Sequence, residues 1–169
     1  MSVSIRRATA ADADFLVELT THEDVEPFLS ARRATSREEI LEEIERSERE
    51  PERFGRFVVE VDGRRAGVMG FRIENERSRI AHLAGLAIHP EFRGRGVSDE
   101  AARLLQRHLL FDLDYHRLQL EIYGFNERAI RHAERAGFTR EGVRRKAYLR
   151  HGEWVDGVMF GLVQEDLTS

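Results

Sequence analysis

Cysteine is absent from the sequence. Its absence excludes a disulfide framework, a thiolate nucleophile and any Cys-ligated metal. No apolar run is long enough to cross a bilayer, so no membrane partner is expected. The opening MSVSIRRATAADADF also lacks an apolar stretch of the signal-peptide kind, which points to a cytoplasmic protein. The seven histidines never fall into HExxH or another metal-ligand spacing, so no metal is expected. Excess positive charge is missing too. The chain carries 27 Lys+Arg against 31 Asp+Glu, a net charge of −4, which argues against a nucleic-acid partner. No internal repeat, low-complexity tract or Pro/Ser-rich linker divides the chain. Its 169 residues are most simply one domain, 1–169, large enough for a real core.

The apolar share, 41%, is ordinary for a globular chain, while the charged share of 34% is high and unevenly placed. Residues 38–52 hold eight glutamates against two arginines, and residues 140–150 hold five cations against one acid. Two readings stand side by side. The blocks are solvated faces, or they make a field that draws a cationic substrate to one end and an anionic cofactor to the other.

Hydrophobic spacing then orders the chain. SVSIRRAT reads as a first strand. TAADADFLVELT reads as a helix that Thr9 can cap, with Phe15, Leu16 and Leu19 at helical spacing. THEDVEPFLS reads as a short helix or turn broken at Pro27. Ser36 can cap a second helix over 37–49, where Ile40, Leu41 and Ile44 form a narrow stripe. From FGRFVVEV the period becomes that of strands, and Asp62-Gly63 joins two runs as a hairpin. RIAHLAGLAIHP is a further strand, in which Gly85 signals a bulge or a close backbone approach. Residues 97–110 read as a helix, RLQLEIYGF as a strand and NERAIRHAERAGF as a helix capped by Asn126. AYLR and WVDGVMFGLV close the chain as strands around His151-Gly152. The order β-α-α-β-β-β-α-β-α-β-β implies an α/β (α+β) fold. It has a mixed central sheet of about seven strands, helices on both faces and one parallel pair across the 97–110 helix.

The stretch HPEFRGRGVSDE carries the chemistry. Gly94 and Gly96 sit where a strand turns into a helix, so successive N–H groups can point into one concavity beside the positive end of the helix. The turn is either an anion site or only a tight turn. It is not a Walker loop, which ends in Gly-Lys-Ser/Thr, and it lacks the third glycine of the dinucleotide fingerprint. Asp99 and Glu100 follow in the first helical turn, where outward-pointing carboxylates complement the helix dipole without facing the loop.

Arg93-Gly94-Arg95-Gly96-Val97-Ser98 resembles the pyrophosphate motif [RQ]-x-x-G-x-[GA] of the GNAT superfamily of acyl-CoA-dependent N-acyltransferases. Serine takes the last slot and can cap the helix. NERAIRHAERAGF is similar to that family's N-x-x-A-x-x-x-Y-x-x-x-G-F segment. THEDVEPFL and GVRRKAYLRHGEWVDGVMFGL resemble the branch containing ribosomal-protein N-terminal and spermidine acetyltransferases. The resemblance implies acetyl-CoA as cosubstrate, a primary amine as acceptor and acetyl transfer by direct attack on the thioester. The acceptor classes it leaves open are a protein N-terminus, a polyamine, an aminoglycoside-like amine and an amino-acid derivative.

Such a transfer needs an amine freed of its proton, since an ammonium of pKa ~10 has no lone pair to give. It needs a donor for the oxyanion, and it benefits from an acid for the leaving thiolate. By resemblance, the backbone of Leu86, Ala87 and Ile88 pairs with the pantetheine arm and can supply the oxyanion donor, while Asn126 binds the cofactor or only caps its helix. The family's acid tyrosine falls on Ala133, which has no proton to give. His132, Tyr123 and Tyr148 are the substitutes to weigh against packing roles. Glu121, His82 and His89 are the candidate bases, His89 being the one that reads as structural. Glu23, Asp24 and Glu26 are candidates for binding a cationic acceptor, and Tyr148 and Trp154 are either groove walls or core. Ala133 also keeps open a non-catalytic acyl-CoA sensor, and the closing hairpin allows a homodimer.

Overall fold

The computed structural model describes residues 1–30 and 33–167. Seven strands make one sheet: β1 (Val3–Arg7), β2 (Phe54–Val61), β3 (Arg64–Asn75), β4 (Ile80–Ile88), β5 (Arg117–Tyr123), β6 (Thr139–Arg150) and β7 (Glu153–Val163). Their spatial order is β1-β2-β3-β4-β5-β7-β6. Four α-helices accompany them: α1 (Ala13–Thr21), α2 (Arg37–Arg49), α3 (Val97–Arg107) and α4 (Glu127–Arg135). The element order is the one expected from the sequence. Every neighbouring pair is antiparallel except β4 and β5, which run parallel on either side of α3. No helix among the described residues is long and apolar enough to cross a membrane.

Over β2 and β3 the sheet is covered on both faces, which is why these strands read as nearly continuous apolar runs. Phe57, Val59, Phe71, Leu118, Phe160 and Leu162 share a cluster with Ala101, Leu105 and Leu109 of the α3 region. On the other face Val58, Val68 and Ala87 meet Leu16 and Leu19 of α1 and Ile40 and Ile44 of α2. The start of α2 follows from chemistry legible in the chain. Ser36 accepts from the Glu39 N–H at 3.1 Å, and Glu39 accepts from the Ser36 N–H in return. With Ile40 and Ile44 turned inward, the glutamate-rich block becomes the outer face of this helix.

Three segments depart from the expected pattern. The helix expected over 97–110 ends as α-helix at Arg107 and continues as one π-helical stretch, His108–Asp112. Thr9 opens a short 3-10 turn, Ala10–Asp12, ahead of α1. The last-but-one strand is not confined to AYLR but begins at Thr139, with almost every residue before Arg150 exposed. It is an edge strand open to solvent, so its charges carry no alternation of buried and exposed positions. Charged residues are a usual feature of such edges.

The feature that shapes the site is a split. β4 and β5 pair only from Ile80, Ala81 and His82 to Arg117, Leu118 and Gln119. Beyond that point Leu83–Ile88 keep their pairing with β3, and Leu120–Tyr123 keep theirs with β7. Val68 lies opposite Ala87 and Gly70 opposite Ala84, so β4 carries one extra residue there. Gly85, at φ +72°, forms this bulge, as expected.

A buried charge anchors the opposite edge. The Asp12 side chain is fully buried and takes two bonds of 2.8 Å from Arg6, one of 2.7 Å from Arg65 and one of 2.7 Å from the Thr9 N–H. The Arg6 bonds, chiefly, hold its carboxyl well below the usual carboxylate range. A depressed folded-state value means this stabilisation is complete above the unfolded carboxyl value of about 3.9 and is lost as pH falls through the folded one. Asp12→Asn is expected to lower stability by about 2–3 kcal/mol at pH 7, read as a fall in urea midpoint. The gap between variant and parent should narrow as the pH is taken below about 4.

Candidate active site

The turn before α3 is built by its glycines. Gly94 and Gly96 have φ of +78° and +73°, a region where side-chain-bearing residues are strained. No described residue lies within 4 Å of where a Cβ would stand at either, so they are needed for conformation, and among the described residues the space over the turn is open. Gly96 itself is the N-cap of α3 and provides no side-chain acceptor. Ser98 lies inside the helix, so the cap expected of it falls to Gly96, and the first-turn amides are left for another acceptor. Val97 is buried beneath them.

The charges around the turn have separate tasks. Arg93 donates to the Asp24 carbonyl at 2.9 Å and ties the loop to the segment after α1; burial, with Arg128 nearby, lowers its pKa. Arg95 lies 5.8 Å from the Phe92 ring centroid. Asp99 faces α4, where His132 Nδ1 lies 2.7 Å from its Oδ1 and Arg135 bonds at 3.3 Å. Glu100 is held by Arg103 at 2.7 Å. Both acids are therefore engaged by side chains of α3 and α4, a pairing that their position in the first turn did not by itself indicate.

The other wall lies on the sheet face covered by α1 and α2 at β1–β3 and left open farther along. Register places His82 beside Gln119, and Glu121 and Tyr123 follow at alternate positions. Across β7 the same face carries Arg144, Tyr148 and Arg150 of β6. The Tyr148 hydroxyl donates to Glu121 Oε1 at 2.6 Å, and Arg144 Nε lies 3.7 Å from Glu121 Oε2. Burial and the Glu121 bond raise the Tyr148 pKa, so the phenol keeps its proton at neutral pH. Burial lowers the His82 pKa, which keeps that imidazole neutral. Tyr123 meets Tyr148 edge-on at 5.7 Å and stacks with Phe125 at 5.6 Å. Leu86, Ala87 and Ile88 form the end of β4 across the split. Asn126 accepts from the Ala129 N–H at 3.2 Å and so caps α4 as expected.

Other candidates lie elsewhere. His132 is committed to Asp99, and His89 accepts from the Glu91 N–H at 3.2 Å. Ala133 is 2% exposed in the main core cluster. Trp154 is 61% exposed and pairs with Leu149, one position out of phase with Tyr148 and Val155. It is therefore neither core nor a wall of the Glu121 face. Glu26 does not stand open to an incoming cation. It is shared by Arg33 at 3.4 Å, Arg150 at 3.6 Å and His151 at 3.8 Å, while Glu23 and Asp24 are exposed. Sequence reasoning passed over Gly157, where a Cβ would collide with the Glu121 carboxylate and the Tyr148 ring. It also passed over Arg144 and Arg150. Finding them required β6 and β7 in register, which the charge-rich 140–150 block concealed.

The Acetyltransferase (GNAT) domain model matches residues 2–139. The chain belongs to the GNAT acetyltransferases. An uncharacterized SPbeta prophage-derived N-acetyltransferase of Bacillus subtilis is 29% identical over 131 residues, 77% of this chain and 70% of that protein. Spermidine N(1)-acetyltransferase of Escherichia coli K12 is 30% identical over 114 residues, 68% of this chain and 61% of that protein. Among solved structures, spermidine N-acetyltransferase from Vibrio cholerae in complex with CoA and spermine superposes with a TM-score of 0.86 at 21% identity, over 99% and 98% of the two chains. Ribosomal-protein-S5-alanine acetyltransferase from Vibrio fischeri gives 0.83 at 18% identity, over 98% and 95%.

This GNAT acetyltransferase takes its acyl group from acetyl-CoA, and the residues present fit that cosubstrate. The turn is open above uncapped amides, and β4 beyond His82 offers an edge with no partner strand on the β5 side among the described residues. The sensor reading based on Ala133 is not favoured. His132→Ala is expected to lower stability by about 1 kcal/mol or less, as its hydrogen bond to Asp99 is lost. Thiol release from acetyl-CoA should proceed at the parental rate, which checks that His132 holds α4 to α3 and takes no part in turnover.

Proposed function

We propose that residues 1–169 form one N-acetyltransferase domain that acetylates a primary amine at the split between β4 and β5, with Glu121 as general base. The observation that carries this reading is the Glu121–Tyr148 pair, on the open sheet face beside the divergence of the two strands. The backbone amides of Arg93, Gly94, Arg95, Gly96, Val97 and Ser98 receive the diphosphate, with Asn126 beside the cofactor. Leu86, Ala87 and Ile88 pair with the pantetheine amides along the unpaired edge of β4 and offer an N–H to the charge that develops on the carbonyl oxygen. Acetyl-CoA supplies the thioester that is attacked.

Glu121 takes the ammonium proton directly or through one water, while Tyr148 and Arg144 hold its carboxylate in place. His82, neutral through burial, provides a second acceptor facing the same space. Tyr123, one pleat beyond Glu121, is the proton donor to the departing thiolate, in place of the tyrosine that Ala133 replaces. A cytoplasmic location belongs to the same proposal, since acetyl-CoA is an intracellular metabolite. So does a homodimer, supported by the open edge of β6 and by the dodecameric spermidine N-acetyltransferase from Vibrio cholerae.

Two variants test this in opposite ways. Glu121→Gln is expected to lower kcat by about 10²–10⁴ while the calorimetric affinity for CoA stays at the parental value. Normal turnover across pH 6–9 would dismiss Glu121 as the base. Gly96→Asp introduces a strained φ and a carboxylate among the phosphate-binding amides, and it is expected to abolish the heat of CoA binding in a folded protein.

A further inference from the structure

At the far end of the Glu121 face two guanidiniums share one carboxylate. Arg150 has a side chain only 8% exposed, and its Nη2 lies 3.6 Å from Glu26 Oε1 and 3.4 Å from the carbonyls of Glu26 and Pro27. Arg33 Nη2 approaches the same Glu26 Oε1 at 3.4 Å. The Nε atoms of both arginines are buried, with no hydrogen-bond partner among the described residues. His151 stands 3.8 Å from the other Glu26 oxygen and adds positive charge when protonated. Arginine–carboxylate pairs normally close to about 2.7–2.9 Å, often with two parallel bonds. Here both arginine–carboxylate contacts are longer, Arg33 Nη1 donating instead to the Ser30 carbonyl at 3.0 Å, and the positive charge exceeds the negative. A guanidinium buried this far without a full set of acceptors is costly unless another group completes it.

The place of this cluster gives it a meaning. The Arg150 guanidinium carbon lies 5.2 Å from the centre of the Tyr123 ring, Tyr123 meets Tyr148 edge-on, and Tyr148 bonds to Glu121. The Arg150 guanidinium is thus two aromatic rings from the proposed base. Glu26, with its side chain 32% exposed, is held loosely enough to be exchanged.

We infer that the acceptor is a primary amine that also carries a carboxylate, which replaces Glu26 between Arg150 and Arg33 while its amine faces Glu121. This rests on the acetyl-transfer reading above and narrows its substrate class to amino acids and acid-bearing amines, setting polyamines aside. Arginine is suited to the task because its planar fork matches both carboxylate oxygens. A site with buried donors also discriminates strongly against an analogue that cannot satisfy them.

The test compares paired acceptors on the intact enzyme with acetyl-CoA, following thiol release. The pairs are 6-aminohexanoate with hexylamine, and the C-terminally amidated peptide Gly-Asp-Gly with its Gly-Asn-Gly counterpart, whose acid and amine are far enough apart to span the two rings; spermidine is run alongside. The expected result is a kcat/KM at least about 100-fold higher for the carboxylate-bearing member of one pair, with spermidine a poor acceptor. The first pair reports a free amino acid and the second an acidic peptide N-terminus. Arg150→Gln should bring the favoured ratio to within about threefold of unity, as truncating a buried charge-pair partner does. Glu26→Gln should lower the KM of the carboxylate-bearing amine, since it removes the competing carboxylate, a change that a merely structural Glu26 would not produce. Equal or better turnover of the carboxylate-free amines or of spermidine by the parent enzyme overturns this inference and leaves acetyl transfer intact. CoA binding without thiol release on any amine overturns both readings.

Discussion

The site depends on two parallel strands that stop pairing. β4 and β5 are joined at three positions and then diverge, although each remains paired with its outer neighbour. Backbone N–H and C=O groups inside a protein need partners, so a sheet opened from within is ready to accept an extended chain carrying amides of its own. The pantetheine arm of acetyl-CoA is such a chain. The bulge at Gly85 falls on the same length of β4 and re-aims the strand where the opening begins.

Around that opening the charges are separated by task. At the α3 end, backbone amides and the helix terminus provide positive potential beside the guanidiniums of Arg93 and Arg95. The nearby acids are bound to His132, Arg135 and Arg103. On the open sheet face, one carboxylate is positioned by a phenol and a guanidinium, beside a histidine kept neutral by burial. Farther along, arginines outnumber their carboxylate partner. The overall charge of −4 therefore says little about any one of these regions, because local pairing decides the potential that a ligand meets.

Much of the fold was legible in the chain because local rules agreed with it. Ser36 and Glu39 cap α2, Asp62-Gly63 turns a hairpin, and the glycines at 94 and 96 announce a turn that needs positive φ. The β6 strand was not legible over most of its length. An edge open to solvent imposes no period on its side chains, and the 140–150 charges looked like a surface patch. With β6 cut short, the alignment of Arg144, Tyr148 and Arg150 opposite Glu121 and Tyr123 stayed hidden. Gly157, whose missing side chain makes room for the Glu121 carboxylate, was hidden with it.

By itself the sequence determined the element order, the glycine turn before α3 and the family, because each is written in short-range spacing and in residues with distinct backbone preferences. The tertiary structure alone decided that Glu26 faces arginines, that His132 clamps two helices and that Trp154 stands out of phase with the Glu121 face. These are meetings between residues far apart in the chain. Which partner a charged group finds depends on strand register and helix docking, and neither is set by the residues beside it.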